Sequence, residues 1–150
     1  MSWRIFQRLF NTPPHKNARA VTDKFGRKFW IYWDVEGFEY AAELHLRYRG
    51  RWVGIMSLLR ERDGRIALQD IMLLQRDRLR QRGLGKAMIQ ELIRWAQANN
   101  FKTISGTITA HDGSTVKYLT EWYQRQGFTV RERQFVLELE GMTTRQVSAA

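Results

Sequence analysis

Apolar residues along the chain follow two periods, and each period predicts a different local structure. Aromatic and β-branched residues alternate with polar ones through most of residues 29–58, which is typical of β-strands joined by tight turns. Residues 66–74 are long and apolar enough to form a central strand that is buried on both faces. The predicted strands span residues 29–33, 38–40, 44–48, 52–58, 66–74, 103–109, 128–130 and 135–139, with turns at Glu36-Gly37, Arg49-Gly50 and Asp63-Gly64.

Two stretches show the three-to-four-residue spacing of amphipathic helices. The first helix ends at Asn99-Asn100, and its apolar face consists of Leu84, Met88, Leu92, Trp95 and Ala96. The second helix begins at a cap on Asp112 or Ser114, ends at Gly127, and carries Val116, Leu119, Trp122 and Tyr123. A helix between the strands at 66–74 and 103–109 predicts a right-handed crossover in a mixed α/β sheet.

The 150 residues fit one domain, which the composition divides into three parts. Residues 1–28 form a basic arm, in which Trp3, Phe6, Leu9 and Phe10 indicate a short helix over residues 2–10. Both prolines follow, and residues 16–28 are predicted to be a loose connector with a turn at Gly26. Residues 29–140 form the folded domain, and the polar residues 141–150 are expected to be disordered.

The net charge of +10 and the absence of cysteine restrict the chemistry that the chain can perform. No disulfide, thiolate nucleophile or sulfur-bound metal can form, and the three histidines lack metal-ligand spacing, so we expect no metal site. The positive charge predicts a polyanionic partner, such as nucleic acid, an anionic lipid surface or a phosphorylated cofactor. No spanning segment or signal peptide is recognisable, which predicts a cytoplasmic protein.

The segment from Arg80 to Lys86 has the composition of an anion-binding turn. Two glycines, Gly83 and Gly85, stand at the start of a helix, where backbone N–H groups are unpaired and a phosphate can approach closely. A P-loop requires glycine at position 80 and serine or threonine at 87, and a dinucleotide fingerprint requires a small residue at 88. Arginine, alanine and methionine stand there instead, so the spacing excludes both motifs.

The remaining pattern, formed by Arg80, Gly83 and Gly85, resembles the pyrophosphate-binding loop of the GNAT superfamily of N-acetyltransferases. A second similarity lies in residues 122–128, Trp-Tyr-Gln-Arg-Gln-Gly-Phe, which resemble the closing helix of that family. The resemblance covers residues 51–140 well and the first fifty poorly. It implies an α/β (α+β) fold with a mixed, mostly antiparallel sheet of six to seven strands flanked by helices.

The resemblance also implies acetyl-coenzyme A (acetyl-CoA) as co-substrate, an amine as acceptor and no metal. The residues that it assigns to coenzyme binding are Leu73, Leu74, Gln75, Arg80, Gln81, Arg82, Gly83, Leu84, Gly85 and Lys86. The chain departs from the family before residue 50, where helices that often supply substrate contacts are missing. It departs again within residues 110–117, where the family often has an asparagine.

Two side chains are candidates for the proton transfers of the reaction. Tyr123 falls on the family's tyrosine and would protonate the departing thiolate, the alternative being a packed ring whose hydroxyl caps a backbone carbonyl. Asp70 is the candidate base, because it is predicted to share an apolar strand face with Ile66, Leu68, Met72 and Leu74. Its alternative role is a structural ion pair with an arginine.

Other residues permit further interpretations of the sequence. His111 and Asp112 follow the strand at 103–109 and could enter the active site, or serve as a loop residue and a helix cap. Glu39 and Glu43 could shape an acceptor site or simply face water. The main alternative function is a non-catalytic domain of the same fold that binds RNA or another polyanion, and a further hypothesis is membrane-surface docking by residues 2–10. The oligomeric state, a dimer included, is left open.

Overall fold

A computed structural model describes residues 12–34, 40–73, 83–109 and 115–141. Within them the chain forms one mixed sheet of eight strands in the order β1-β2-β3-β4-β5-β6-β8-β7. The strands are β1 Arg19–Thr22, β2 Lys28–Asp34, β3 Ala41–Tyr48, β4 Arg51–Arg60, β5 Arg65–Leu73, β6 Thr103–Thr107, β7 Thr129–Arg131 and β8 Gln134–Glu138. The helices are α1 Leu84–Ala98 and α2 Val116–Arg125.

The first five strands form an antiparallel meander, of which the alternating pattern predicts the part from β2 to β5. Two of its turns place consecutive residues at positive φ, with values of 50° and 78° at Arg49-Gly50 and 62° and 73° at Asp63-Gly64. Positive φ at both central residues characterises the type I′ turn, whose twist matches that of the paired strands. Both predicted turns are therefore confirmed.

The topology changes at β5, which pairs with β6 in parallel after the chain has passed through α1. β6 then pairs antiparallel with β8, so that β6 lies between the meander and the C-terminal hairpin of β7 and β8. The parallel pair agrees with the crossover predicted between these two strands.

The core lies between α1 and the sheet face that carries Ile31, Leu44, Met56 and Leu68, all of which are buried. We call this face of the sheet the helix face. From α1 the core receives Leu84, Met88, Ile89, Leu92, Ile93 and Ala96. The predicted apolar face of this helix is confirmed, and its end at Asn99 agrees with the prediction.

A buried carboxylate joins α1 to the first strands of the sheet. Glu91 accepts hydrogen bonds from the indole Nε1 of Trp33, 3.2 Å away, and from the guanidinium groups of Arg19 and Arg94. Beside this cluster the rings of Trp33 and Trp95 stack with centroids 4.6 Å apart. Three donors compensate the desolvation of the carboxylate, so that a charged group is tolerated at a core position.

The structure corrects four sequence-based expectations. Residues 19–22 form β1 within the predicted loose connector, and the sheet has eight strands rather than six to seven. Tyr40 precedes β3 and is not part of a strand. The N-cap of α2 is Thr115, whose side chain accepts a hydrogen bond from the Tyr118 N–H. Outside the described residues lie the predicted helix at 2–10, the Glu36-Gly37 turn, Asp112, Ser114 and residues 142–150 of the predicted tail.

Candidate functional site

The strands β5 and β6 stop pairing halfway along β5 and diverge, which leaves a gap in the sheet. Their parallel pairing runs from Arg65 with Thr103 to Leu68 with Gly106 and ends there. β5 continues to Leu73, and among the described strands it is paired there only with β4, whereas β6 remains paired with β8. Backbone groups along the free edge of β5 are therefore available to a ligand.

A β-bulge at Gln69 decides which side chains of β5 face which side of the sheet. Leu58 pairs with Leu68, yet the preceding residue Ser57 pairs with Asp70, so β5 carries one extra residue. The next pair on the helix face is Met56 with Ile71. Beyond the bulge, therefore, each side chain of β5 lies on the opposite face of the sheet from the one that simple alternation predicts.

The bulge corrects the predicted surroundings of Asp70. The carboxylate lies on the face opposite Ile66 and Leu68 and is exposed, rather than sharing their apolar face. No ion pair to Asp70 forms among the described residues, so the structural pairing with an arginine is also absent there. The side chain lies beyond the last β5–β6 pair, Leu68 with Gly106, and thus beside the gap between the two strands.

The predicted acid, Tyr123, is positioned by aromatic contacts on α2. Its ring stacks on Phe135 of β8 with centroids 4.0 Å apart and an interplanar angle of 10°, and Phe128 packs against its edge at 5.6 Å. Within the described part of the chain the Tyr123 hydroxyl forms no hydrogen bond, so it does not cap a backbone carbonyl. The ring is therefore held by packing, and its hydroxyl is left for another partner.

The structure brings the two candidate residues together although 53 positions separate them in the sequence. Burial raises the pKa of the Tyr123 phenol above its ordinary value, and the negative charge of Asp70 raises it further. The phenol is thus protonated throughout the neutral range, as a proton donor must be. A carboxylate and a protonated phenol stand at the gap between β5 and β6.

Gly106 is required for this arrangement and was not predicted as a functional residue. A Cβ atom at this position would lie 2.1 Å from Cζ of Phe135 and 2.8 Å from the carbonyl oxygen of Leu68. The Phe135 ring that supports Tyr123 therefore lies directly over the glycine. A lone glycine inside a predicted strand is itself a signal of close approach, and it could have identified this position.

The glycine turn begins α1 as predicted, with a different role for each glycine. Gly83 is the N-cap with φ of 78°, a left-handed conformation that favours glycine, and a Cβ there would meet only open space. At Gly85 a Cβ would lie 3.1 Å from Cζ2 of Trp122, so this glycine allows α1 and α2 to pack closely. The sequence pattern places Gly85 in the anion-binding turn and carries no signal of this contact.

The first turn of α1 offers unpaired donors to an anion. The first hydrogen bond within the helix runs from the Ala87 N–H to the Gly83 carbonyl, which leaves the N–H groups of Leu84, Gly85 and Lys86 outside the helix ladder. No side chain caps this end, and no acidic residue lies in the first turn. The Leu84 side chain is buried in the core, so only its N–H group faces the turn, while Lys86 is exposed.

Some of the predicted site residues lie outside the described part of the chain. They are Leu74, Gln75, Arg80, Gln81 and Arg82 of the coenzyme set, together with His111, Asp112 and Glu39. Across the described ranges, no group of three or more His, Cys, Asp or Glu residues could hold a metal ion. None of the helices in those ranges is long and apolar enough to cross a membrane.

Comparison with known proteins agrees with this geometry. The sequence profile of the acetyltransferase (GNAT) family matches residues 3–128. Among solved structures, the chain is similar to an IAA acetyltransferase from Bacillus cereus, with 17% identity and a TM-score of 0.56 over 67% of this chain and 79% of that one. No curated protein matches the sequence significantly.

Two further solved structures contain the coenzyme. An acetyltransferase from Bacillus subtilis in complex with CoA has 18% identity and a TM-score of 0.55, over 67% of this chain and 78% of that one. A GNAT acetyltransferase from Elizabethkingia anophelis with acetyl-CoA bound has 14% identity and a TM-score of 0.56, over 67% and 77%. The family profile spans most of the sequence, and the solved structures share its fold. The chain is a member of the GNAT family of acetyltransferases.

Proposed function

We propose that the protein transfers an acetyl group from acetyl-CoA directly to the nitrogen of an amine. The observation that carries this proposal is the meeting of Asp70 and Tyr123 beside the gap between β5 and β6. An acyl transfer to an amine needs one group that takes a proton and one that gives a proton. Asp70 supplies a carboxyl group for the first task, and the Tyr123 phenol, whose pKa is raised, remains protonated for the second.

The residues present fit an acyl-coenzyme A. The uncapped first turn of α1 supplies N–H groups and the positive end of the helix dipole to the pyrophosphate, and Lys86 adds a charge. Backbone N–H and C=O groups on the free edge of β5 near Leu73 are suitable hydrogen-bond partners for the amide groups of the pantetheine arm. Coenzyme A or acetyl-CoA is bound in the solved GNAT structures from Bacillus subtilis and Elizabethkingia anophelis.

The chain's own residues would move two protons. Asp70 accepts one from the incoming ammonium, directly or through water, which frees the nitrogen lone pair to attack the thioester carbonyl carbon. The carbon–sulfur bond breaks as the carbon–nitrogen bond becomes an amide, and Tyr123 donates its phenolic proton to the sulfur. The second nitrogen proton is released to solvent, Asp70 releases the proton that it accepted, and the phenolate takes up one proton. Both side chains thus return to their starting states, and one proton is released per amide formed.

The first experiment measures coenzyme binding and transfer separately. Calorimetric titration with acetyl-CoA, with adenosine diphosphate as a control for general anion binding, should give one site that strongly prefers the coenzyme. Release of the CoA thiol is then followed with a panel of amines for the wild type, Tyr123→Phe and Asp70→Asn. The matched control is Tyr118→Phe, which removes a phenol from the exposed side of the same helix.

The expected result is a loss of about 10²-fold or more in kcat for Tyr123→Phe, with coenzyme affinity unchanged. The affinity should persist because phenylalanine keeps the stack on Phe135. Tyr118→Phe should match the wild type. Equal turnover in the wild type and Tyr123→Phe would refute the assignment of the acid, and the absence of acetyl-CoA binding would refute the proposed function.

A further inference from the structure

The strand register places three carboxylates in one row on the sheet face opposite the helix face. Asp34 pairs with Glu43, Glu43 with Ser57, and Ser57 with Asp70. Directly paired residues of antiparallel strands project to the same side, and neighbouring strands lie about 4.8 Å apart. The row therefore runs outward from Asp70 at the candidate site across four adjacent strands. We call it the acidic row.

The acidic row is unneutralised in a chain that is otherwise strongly basic. All three carboxylates are exposed, and none forms an ion pair or hydrogen bond within the described residues. Like charges directly opposite each other, as at Asp34 and Glu43, are destabilising. The chain carries 25 basic residues, yet none of those described neutralises this row. This arrangement favours a positively charged ligand.

The neighbouring row independently indicates a ligand on the same face. It lies two residues further along the same strands and consists of Tyr32, His45, Ile55 and Met72. His45 is 6% exposed, and neither of its ring nitrogens has a hydrogen-bond partner. Its ring lies between Tyr32 and Trp52, with centroids 5.2 and 5.6 Å away. A buried imidazole without a partner is costly unless a bound molecule supplies one.

The chemical character of the two rows restricts the ligand. Carboxylates attract ammonium groups, and the adjacent Ile55 and exposed Met72 offer apolar contact to a hydrocarbon chain. The described acidic residues include no group of three or more that could hold a metal ion, which favours an organic cation over a metal ion. Glu43 lies two strand spacings, about 10 Å, from Asp70, so a single small ammonium group cannot reach both. The net charge of +10 opposes the approach of a large basic protein.

We propose that the acceptor is a linear aliphatic diamine or polyamine, bound along the acidic row. Its reacting nitrogen lies at Asp70, a second ammonium group lies at Glu43 or Asp34, and the connecting chain follows Ile55 and Met72. His45 accepts a hydrogen bond from the bound amine. This inference rests on the proposed function, since it names the substrate class of the same site.

The experiment compares amines of matched length and different charge. The probes are unbranched α,ω-diamines of three to ten carbons and the corresponding monoamines. Transfer is measured as kcat/KM with acetyl-CoA, and binding is measured without acetyl-CoA by calorimetry at low salt. The variants are Glu43→Gln, Asp34→Asn and their combination. Glu61→Gln removes an exposed carboxylate from the turn between β4 and β5 and serves as the control.

The expected result is a preference for diamines of about seven or eight carbons, which span two strand spacings. Glu43→Gln should lower kcat/KM and affinity for these diamines about threefold to fivefold, and the double variant about tenfold. Monoamines should be unaffected by either change, and Glu61→Gln should behave like the wild type. Equal kcat/KM values for diamines and monoamines would overturn the inference. So would a preference for diamines that is unchanged in the double variant.

The two measurements separate this inference from the proposed function. Binding of long diamines that depends on Glu43, without any acetyl transfer, would support the amine site and refute the enzymatic proposal. Acetyl transfer without dependence on diamine length would support the enzymatic proposal and refute the acidic row as the acceptor site.

Discussion

Replacing Gly106 by alanine tests whether the support of Tyr123 has the geometry described. The φ of Gly106 lies outside the left-handed region, so alanine adopts its backbone conformation without strain and the cost is steric alone. The new Cβ would lie 2.1 Å from Cζ and 2.7 Å from Cε2 of Phe135, and 2.8 Å from the Leu68 carbonyl oxygen. The phenyl ring must retreat by about 1 Å or more before it reaches ordinary contact distance.

The expected cost is at the upper end of the range for overpacking a core, about 3 kcal/mol in the free energy of unfolding. Phe135 is 1% exposed and stacks on Tyr123, so its ring has little free volume into which to move. For a chain of this length the melting temperature should fall by about 6–12 °C. The displaced ring carries Tyr123 with it, so kcat should fall while affinity for acetyl-CoA persists.

Urea unfolding followed by tryptophan fluorescence measures the stability change. Ser105→Ala is the matched control on the same strand, with an expected change within about 0.5 kcal/mol. The double variant Gly106→Ala with Phe135→Leu shortens the obstructing ring and should recover at least about 1 kcal/mol relative to additivity. A change below 0.5 kcal/mol for Gly106→Ala, or strict additivity in the double variant, would refute the packing argument.

Because burial and Asp70 raise the pKa of Tyr123 in the folded protein, its unfolded form ionises first as the pH rises above about 10. The stabilising contribution is therefore present below that pH and lost above it, and Tyr123→Phe should lose less stability than the wild type between pH 9 and 11 in urea titrations. Glu91→Leu should lower the free energy of unfolding by about 2 kcal/mol, measured the same way, because the Trp33 indole N–H loses its acceptor; an unchanged midpoint would contradict this role. His45→Phe should leave stability unchanged or raise it by about 1 kcal/mol, because it removes an unpartnered imidazole and keeps the stack on Tyr32. A loss above 1 kcal/mol in thermal unfolding would show that His45 has a structural partner.

Most elements of the fold could be predicted because their signals are local. Alternating apolar residues specify the strands of the meander, and glycines at 50 and 64 specify its turns. Strand β1 was missed because its burial is slight: Val21 alone of its four residues is partly buried, and the others are exposed. An edge strand of this kind is defined by its backbone hydrogen bonds to β2, and these bonds produce no alternation of apolar and polar residues in the sequence.

The helix cap and the glycine contacts show a second kind of limit. Thr115, Ser114 and Asp112 are all suitable cap residues, and only the path of the chain selects Thr115. Gly85 and Gly106 each lie under an aromatic ring from a distant part of the chain. A sequence shows that a glycine is present, but the ring that excludes a Cβ becomes visible only when the elements pack together.

The sequence by itself determined the two periods of the apolar pattern, the order of the elements, the glycine turn and the candidates Asp70 and Tyr123, because each depends on neighbouring residues. The tertiary structure alone decided which of these residues meet. The extra residue at Gln69 moves Asp70 away from the apolar face, and the strand register aligns it with Glu43. A shift of one residue reverses every side chain beyond it, since strand periodicity is two. The site therefore depends on hydrogen-bond pairing between strands, which no local pattern encodes.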